Sequence, residues 1–95
     1  MNFNIHFTSE SKEQYDALPV KKLKKVRKAL GYLQTDPRHP SLNTHAYTAY
    51  QNPFDPTGSL FEAYAENKTP KAYRIFWCYG PGRGDITIIA IIPHP

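Results

Sequence analysis

From residue 71 onward the chain alternates apolar and polar positions in two long runs around a Gly/Pro turn. In KAYRIFWCYG, residues 71 to 80, a strand places Tyr73, Ile75, Trp77 and Tyr79 on one face and Ala72, Arg74, Phe76 and Cys78 on the other, because side chains alternate with period two. Arg74 therefore sits among apolar neighbours. In PGRGDITIIAIIPHP, residues 81 to 95, Ile86, Ile88, Ala90 and Ile92 fall on one face and Thr87, Ile89 and Ile91 on the other. Apolar residues on both faces predict a strand with neighbours on either side. The strand runs into Pro93-His94-Pro95, which places His94 at the rim of the sheet, held by the core yet open to solvent.

The preceding residues supply the partners of these strands. Residues 2 to 7 alternate as Asn2, Asn4 and His6 against Phe3, Ile5 and Phe7, a strand with one buried face. Thr8, Ser9 and Ser11 offer N-caps, and Ser11 with Gln14 has the form of a capping box opening a short helix that carries Tyr15 and Leu18. Pro19 suits the first turn of a second helix, from about 20 to 34. In that helix Leu23, Val26, Leu30 and Leu33 fall within an arc of about 80°, and Lys21, Lys24, Lys25 and Lys28 within another of about 100°. Residues 35 to 42, TDPRHPSL, end the helix in a Pro-rich turn. Residues 42 to 50 read as a strand or extended edge, and QNPFDPTGS as a mobile loop. Residues 59 to 67 alternate again, with Phe61, Ala63 and Ala65 opposite Glu62, Tyr64 and Glu66, and Lys68, Thr69 and Pro70 form a turn. Strand, helix, helix, then hairpin-linked strands make a single α+β domain spanning residues 1 to 95, with two N-terminal helices packed on a small antiparallel sheet.

A chain of 95 residues supports one core and leaves no room for a separate cofactor domain. Lys and Arg outnumber Asp and Glu by 12 to 8, and six of the twelve cations lie between residues 21 and 28, so the local field exceeds what the net charge suggests. An anionic partner and a merely solvated helix face explain this basic surface equally well. Cys78 is the only cysteine, which excludes an internal disulfide and fits a packed thiol in a reducing, cytoplasmic setting. The longest apolar run is too short to span a bilayer, and the first residues do not form a signal peptide.

If Phe61 faces the core with Tyr73, Ile75 and Trp77, then Glu62, Tyr64 and Arg74 share the opposite face. A carboxylate, a phenol and a guanidinium near His94 provide a base, proton donors and an anion clamp, sufficient for RNA cleavage without a metal. On residue types alone, an ordinary cross-strand ion pair is the more economical reading of Glu62 and Arg74. His6, His39, His45 and His94 lack metal-ligand spacing, and no metal or cofactor is expected. GPGRG, 80 to 84, lacks the Lys-Ser/Thr of a phosphate loop and reads as a hairpin turn presenting Arg83 to RNA. His45 suits a loop-pinning hydrogen bond better than chemistry.

The segment DPRHPSLNTH at 36 to 45, FEAY at 61 to 64, AYRIFW at 72 to 77 and a last strand ending in His resemble the RelE/ParE superfamily of toxins from type II toxin–antitoxin pairs, over nearly the whole chain. The resemblance implies a RelE-like fold, neutralisation by a cognate antitoxin, and action as a ribosome-dependent mRNA endoribonuclease of RelE/HigB-like type. The alternatives it carries are a ParE-like inhibitor of DNA gyrase and a catalytically silent RNA-binding relative. It implies that Arg74 faces the scissile phosphate, that His94 exchanges a proton, and that Glu62 is the carboxylate of a HigB-like branch. Tyr64 stands where the ribonucleases carry a cation. On this reading Lys21, Lys24, Lys25, Lys28 and Arg83 meet RNA on the ribosome.

Overall fold

The computed structural model describes residues 2–66, 69 and 71–94. Strand β1 (Asn4–Phe7) is followed by helices α1 (Ser9–Asp16) and α2 (Val20–Thr35), a 3-10 turn (Pro40–Leu42), and strands β2 (His45–Ala46), β3 (Leu60–Tyr64), β4 (Tyr73–Tyr79) and β5 (Asp85–Pro93). They form one five-stranded sheet in the order β1-β5-β4-β3-β2. β2 to β5 pair antiparallel as the alternation implies. β1 instead joins β5 in parallel, Ile5 beside Ile86 and Phe7 beside Ile88, so the sheet is mixed. The reason is topological: after the two helices the chain re-enters the sheet at β2 running against β1, and three antiparallel pairings later β5 runs with it. The expected turn at Lys68, Thr69 and Pro70 falls partly outside the described residues, Lys68 and Pro70 being the two concerned.

One face of the sheet holds the core. Val26, Ala29 and Leu33 of α2 pack with Leu42, Ala63, Ile75, Trp77, Ile86, Ile88 and Ile91. The innermost line of α2 is thus centred on Val26 and Leu33 with Ala29, while Leu30 is only partly buried. Among the described residues no helix crosses the opposite face, which α1 reaches only at the β5 edge through Glu10 and Gln14. Across β3 and β4, Phe61 pairs with Trp77 and Ala63 with Ile75 on the core side, so Glu62, Phe76, Tyr64 and Arg74 lie on the open side.

Strict alternation fails at one place in β5. Phe76 pairs with Ala90 but Trp77 pairs with Ile88, so Ile89 has no partner and forms a bulge. Beyond it the faces exchange: Ile91 enters the core opposite Ile75, and Ala90 and Ile92 move to the open side opposite Phe76 and Arg74. The sequence pattern had these residues the other way round. An extra residue in one strand reverses the parity of everything after it. The register continues through the hydrogen bond from His94 N–H to the Ala72 carbonyl, 2.7 Å, which puts His94 on the side of Arg74.

Helix α1 holds the bulge. Its cap is Thr8, whose hydroxyl accepts from the Ser11 N–H at 3.0 Å, so Ser11 lies inside the helix and does not begin it. Ser11 is fully buried and donates to the Ile88 carbonyl at 2.7 Å, and the Gln14 side-chain carbonyl accepts from the Ile91 N–H at 2.8 Å. Ser11 shares the Ile88 carbonyl with the Thr8 N–H, 3.2 Å, and Gln14 occupies an N–H of β5 beyond the end of β1. On the far side of the sheet the 51–59 loop is pinned by Asn52, which donates to the Tyr79 carbonyl and accepts from the Phe54 N–H. Phe54 lies against Gly80, whose φ of 121° and lack of a Cβ permit the contact.

Candidate functional site

The β3–β4 register and the short edge strand β2 assemble a polar cluster on the open face. Glu62 pairs across β3 with His45 and across the sheet with Phe76, one step along from the Tyr64–Arg74 pair. The Glu62 carboxylate lies 2.7 Å from His45 Nε2 through one oxygen and 3.8 Å from Arg74 Nε through the other. The Arg74 guanidinium sits 3.7 Å from the centre of the Tyr64 ring, and the His45 ring meets that ring edge-on at 5.8 Å. Glu62 and Arg74 are 6% and 7% exposed, so both charges are nearly withdrawn from water.

Arg74 is held without being saturated. Nη1 donates to the Glu66 carbonyl at 2.7 Å and more weakly to its own strand at the Tyr73 carbonyl, 3.4 Å. Nε is buried and makes no hydrogen bond, its carboxylate neighbour lying too far away. The guanidinium is therefore fixed by stacking and by one strong hydrogen bond, and keeps donor capacity for an incoming anion.

His45 reaches the cluster through local turn chemistry. Pro40 opens the 3-10 turn, His39 caps it by accepting from the Ser41 N–H, and Asn43 closes it in the left-handed region at φ 48°. That conformation, which asparagine tolerates, brings the Asn43 carbonyl 3.0 Å from His45 Nδ1. A carbonyl only accepts, so Nδ1 carries a hydrogen and Nε2 faces the Glu62 carboxylate. The side chain remains about half exposed. His39, in the same motif, stacks on Tyr32 at 3.9 Å and is a capping residue.

A groove of about 300 Å³ runs from the cluster to helix α2, lined by Lys25, Lys28, Tyr32, Ser41, Tyr64 and Glu66. Glu66 is its keystone. Its carboxylate receives Lys22 at 2.8 Å, Lys25 at 3.4 Å and the Tyr73 N–H at 3.0 Å, while its carbonyl holds Arg74. Burial alone would raise its pKa, but the hydrogen bonds from Lys22, Tyr73 and Lys25 outweigh that and hold the carboxyl below its usual range.

The structure thus brings together Glu62, Tyr64 and Arg74, with His94 on the same side of the sheet at an exposed position. Lys25 and Lys28 approach through the groove, whereas Lys21 and Lys24 project to solvent from α2. Arg83 is not part of this assembly. It lies on the β4–β5 turn, at the other end of β4 from Arg74, beside a cleft of about 880 Å³ bordered by Phe3, Phe54 and Tyr79. His6, also on the open side, is occupied with Asp85 at 3.0 Å. Cys78 is buried, with its thiol pushed up to about 11 by desolvation. Sequence reasoning gave His45 a loop-pinning hydrogen bond, which the structure shows at the Asn43 carbonyl, and missed its contact with Glu62. Its signal was the Asn-Thr-His that ends the Pro-rich turn, which gains meaning only once the 51–59 loop folds β2 back beside β3. Among the described residues, no group of His, Cys, Asp and Glu could hold a metal ion, and no helix is long and apolar enough to cross a membrane.

This arrangement of helices and sheet is the fold of the RelE/YoeB/ParE toxins. The chain superposes on the archaeal RelE–RelB complex from Pyrococcus horikoshii OT3 with a TM-score of 0.70 at 14% identity, covering 98% of this chain and 96% of that one. It matches the YoeB/ParE toxin from Agrobacterium tumefaciens with a TM-score of 0.72 at 10% identity, over 98% and 100% of the two chains. For the toxin of the intact E. coli RelBE toxin–antitoxin complex the TM-score is 0.67 at 10% identity, over 100% and 99%. No protein-family model and no curated protein sequence matches the chain.

Proposed function

We propose that the protein is the toxin of a type II toxin–antitoxin pair and cleaves mRNA on the ribosome by attack of a 2′-hydroxyl on the adjacent phosphate. The observation that carries this reading is Arg74: stacked on Tyr64 and hydrogen-bonded through Nη1, it is a guanidinium that keeps Nη2 for an anion. A pair serving stability alone would close the 3.8 Å gap to Glu62, because desolvating two charges is repaid only by good geometry. The sharing of the fold with toxins solved in complex with RelB supports a protein antitoxin as partner.

In this reading Arg74 binds the scissile phosphate and stabilises the charge that develops there. Arg74 lies between two imidazoles on the open side: His45, two strands away, whose Nδ1 is engaged by the Asn43 carbonyl and Nε2 by Glu62, and His94, one strand away in the other direction. His45 thus holds Glu62 in place, while His94 takes the 2′-hydroxyl proton and, as the imidazolium, donates to the leaving 5′-oxygen, with Tyr64 fixing the guanidinium beneath. Lys25 and Lys28 lead the flanking phosphates along the groove, and Lys21 and Lys24 extend the contact to ribosomal RNA. The cytoplasm, where ribosomes are, is the compartment this activity requires.

The test compares two assays on one preparation. Purified ribosomes programmed with mRNA should be cut by the wild type, and Arg74→Ala and His94→Ala should each lower the rate about a hundredfold or more. Inhibition of gyrase supercoiling with intact mRNA would instead establish the ParE-like activity.

A further inference from the structure

The open face continues past Arg74 into a recess of about 350 Å³ that the cleavage chemistry does not use. Its floor is Phe76 with Ala90 and Ile92, and its walls are Tyr47 and Tyr50. Ile92 is the cross-strand neighbour of Arg74, and Phe76 follows Arg74 by two residues on the same side, a step of about 6.6 Å. The recess exists because of the bulge at Ile89, which turns Ala90 and Ile92 outward, and because Tyr47 extends the β2–β3 pairing through its N–H to the Leu60 carbonyl at 2.7 Å. Tyr47 meets Phe76 edge-on at 4.9 Å and Tyr50 at 5.5 Å, and Tyr50 is 63% exposed. Its rim carries Glu10 of α1. The neighbouring Gln14 accepts from the Ile91 N–H and donates weakly to one Glu10 oxygen at 3.5 Å, which leaves the other Glu10 oxygen as an acceptor at the rim.

We propose that this recess is the binding slot for the base next to the scissile phosphate, a proposal that rests on the ribonuclease reading of Arg74. The occupant follows from three features. The slot adjoins the anion clamp at about the reach of one nucleotide. Its volume is that of a small-molecule site, and it is lined by aromatic and aliphatic side chains with Glu10 and Gln14 at the rim. Aromatic rings suit any base through its π-face, and the Glu10 carboxylate accepts from an exocyclic amino group, so cytosine is held in preference to uracil. The slot thereby makes Tyr47 and Tyr50 binding residues and Glu10 a specificity-determining one.

The test is equilibrium binding of a fluorescently labelled hexaribonucleotide, fully 2′-O-methylated so that it cannot be cut, with a single abasic residue moved along its length. At one position the abasic residue should weaken wild-type binding by roughly fivefold to a hundredfold. Tyr50→Ser, which alters an exposed side chain, should weaken binding of the intact oligonucleotide and show no further loss with the abasic one. Cytosine should bind more tightly than uracil at that position, and Glu10→Gln should remove the difference. If the oligonucleotide binds and every abasic position is silent, the slot holds no base while the ribonuclease reading stands. If it does not bind and ribosomes are not cut either, both fail together. Unchanged RNA affinity in Tyr50→Ser with loss of antitoxin binding would make the recess a protein-docking surface and overturn the proposal.

Discussion

Breaking the Glu62–Arg74 couple should cost far more than replacing it. Both side chains are nearly buried, at 6% and 7% exposure, and Arg74 Nε already lacks a hydrogen bond. Removing the carboxylate in Glu62→Met leaves a buried guanidinium with no countercharge, which costs about 3 to 5 kcal/mol. The lost His45 contact adds less than about 1 kcal/mol, because that ring is half exposed and water replaces the carboxylate. For a domain of this size the loss corresponds to a fall in Tm of roughly 12 to 40 °C. Arg74→Met should suffer similarly, since it leaves Glu62 buried and the Glu66 carbonyl without its donor. The double variant places two apolar side chains together beside Phe76 and Tyr64, and should lie within about 1 kcal/mol of wild type or exceed it. Urea melts of all four proteins, read as shifts in midpoint at constant slope, give the coupling energy. A stable but inactive double variant would mean that the charges are kept for function. If Glu62→Met costs less than about 1 kcal/mol, the pair is an ordinary surface ion pair and the argument from Arg74 fails.

Trp77 is 1% exposed and stacks on Phe61 at 4.9 Å, so Trp77→Ala should cost about 3 to 5 kcal/mol; its indole N–H makes no hydrogen bond, and Trp77→Phe should lose under about 1.5 kcal/mol in the same denaturant melts. Glu66 has its pKa lowered in the folded state, so it adds stability that is fully present above its unfolded value of about 4.5 and is lost as pH falls through the lower folded value. The stability difference between wild type and Glu66→Gln should therefore be about 1 to 3 kcal/mol at pH 7 and shrink below pH 4.5, and a difference that is flat across that window would show that the carboxylate gains nothing from Lys22 and Lys25. Replacing Lys21, Lys24, Lys25 and Lys28 by Gln should weaken ribosome association and flatten its dependence on salt, by counterion release; an unchanged slope would mark the face as solvated surface.

Much of this geometry was legible in residue order because it depends on alternation. The faces of β3 and of β4 follow from period two, and one register then sets Glu62, Tyr64 and Arg74 together. The stripe of α2 follows likewise from period 3.6, including the Lys side that borders the groove. What was hidden depends on groups that meet only in three dimensions. The bulge at Ile89 has no mark in the run DITIIAIIP, where every candidate for either face is apolar, yet it decides that Ile91 enters the core and that Ile92 and His94 join Arg74. Ser11 and Gln14 looked like a capping box, but their side chains serve the backbone of β5, which is 77 residues away in sequence. His45 belongs to a Pro-rich turn, and its pairing with Glu62 depends on closure of the 51–59 loop. Glu66 read as one more polar position of an alternating strand, and its link between α2 and Arg74 required the packing of the helix.

The central claim is that Arg74 and His94 cleave RNA through its own 2′-hydroxyl, and the chemistry of the new ends tests it most directly. Ribosomes programmed with a defined mRNA are incubated with the wild-type protein, and the upstream fragment is analysed by mass spectrometry. The account predicts a 2′,3′-cyclic phosphate, or the phosphate formed by its opening, on that fragment, and no such ends with Arg74→Ala. A 3′-hydroxyl end, or uncut mRNA under conditions where the protein inhibits gyrase, would contradict it.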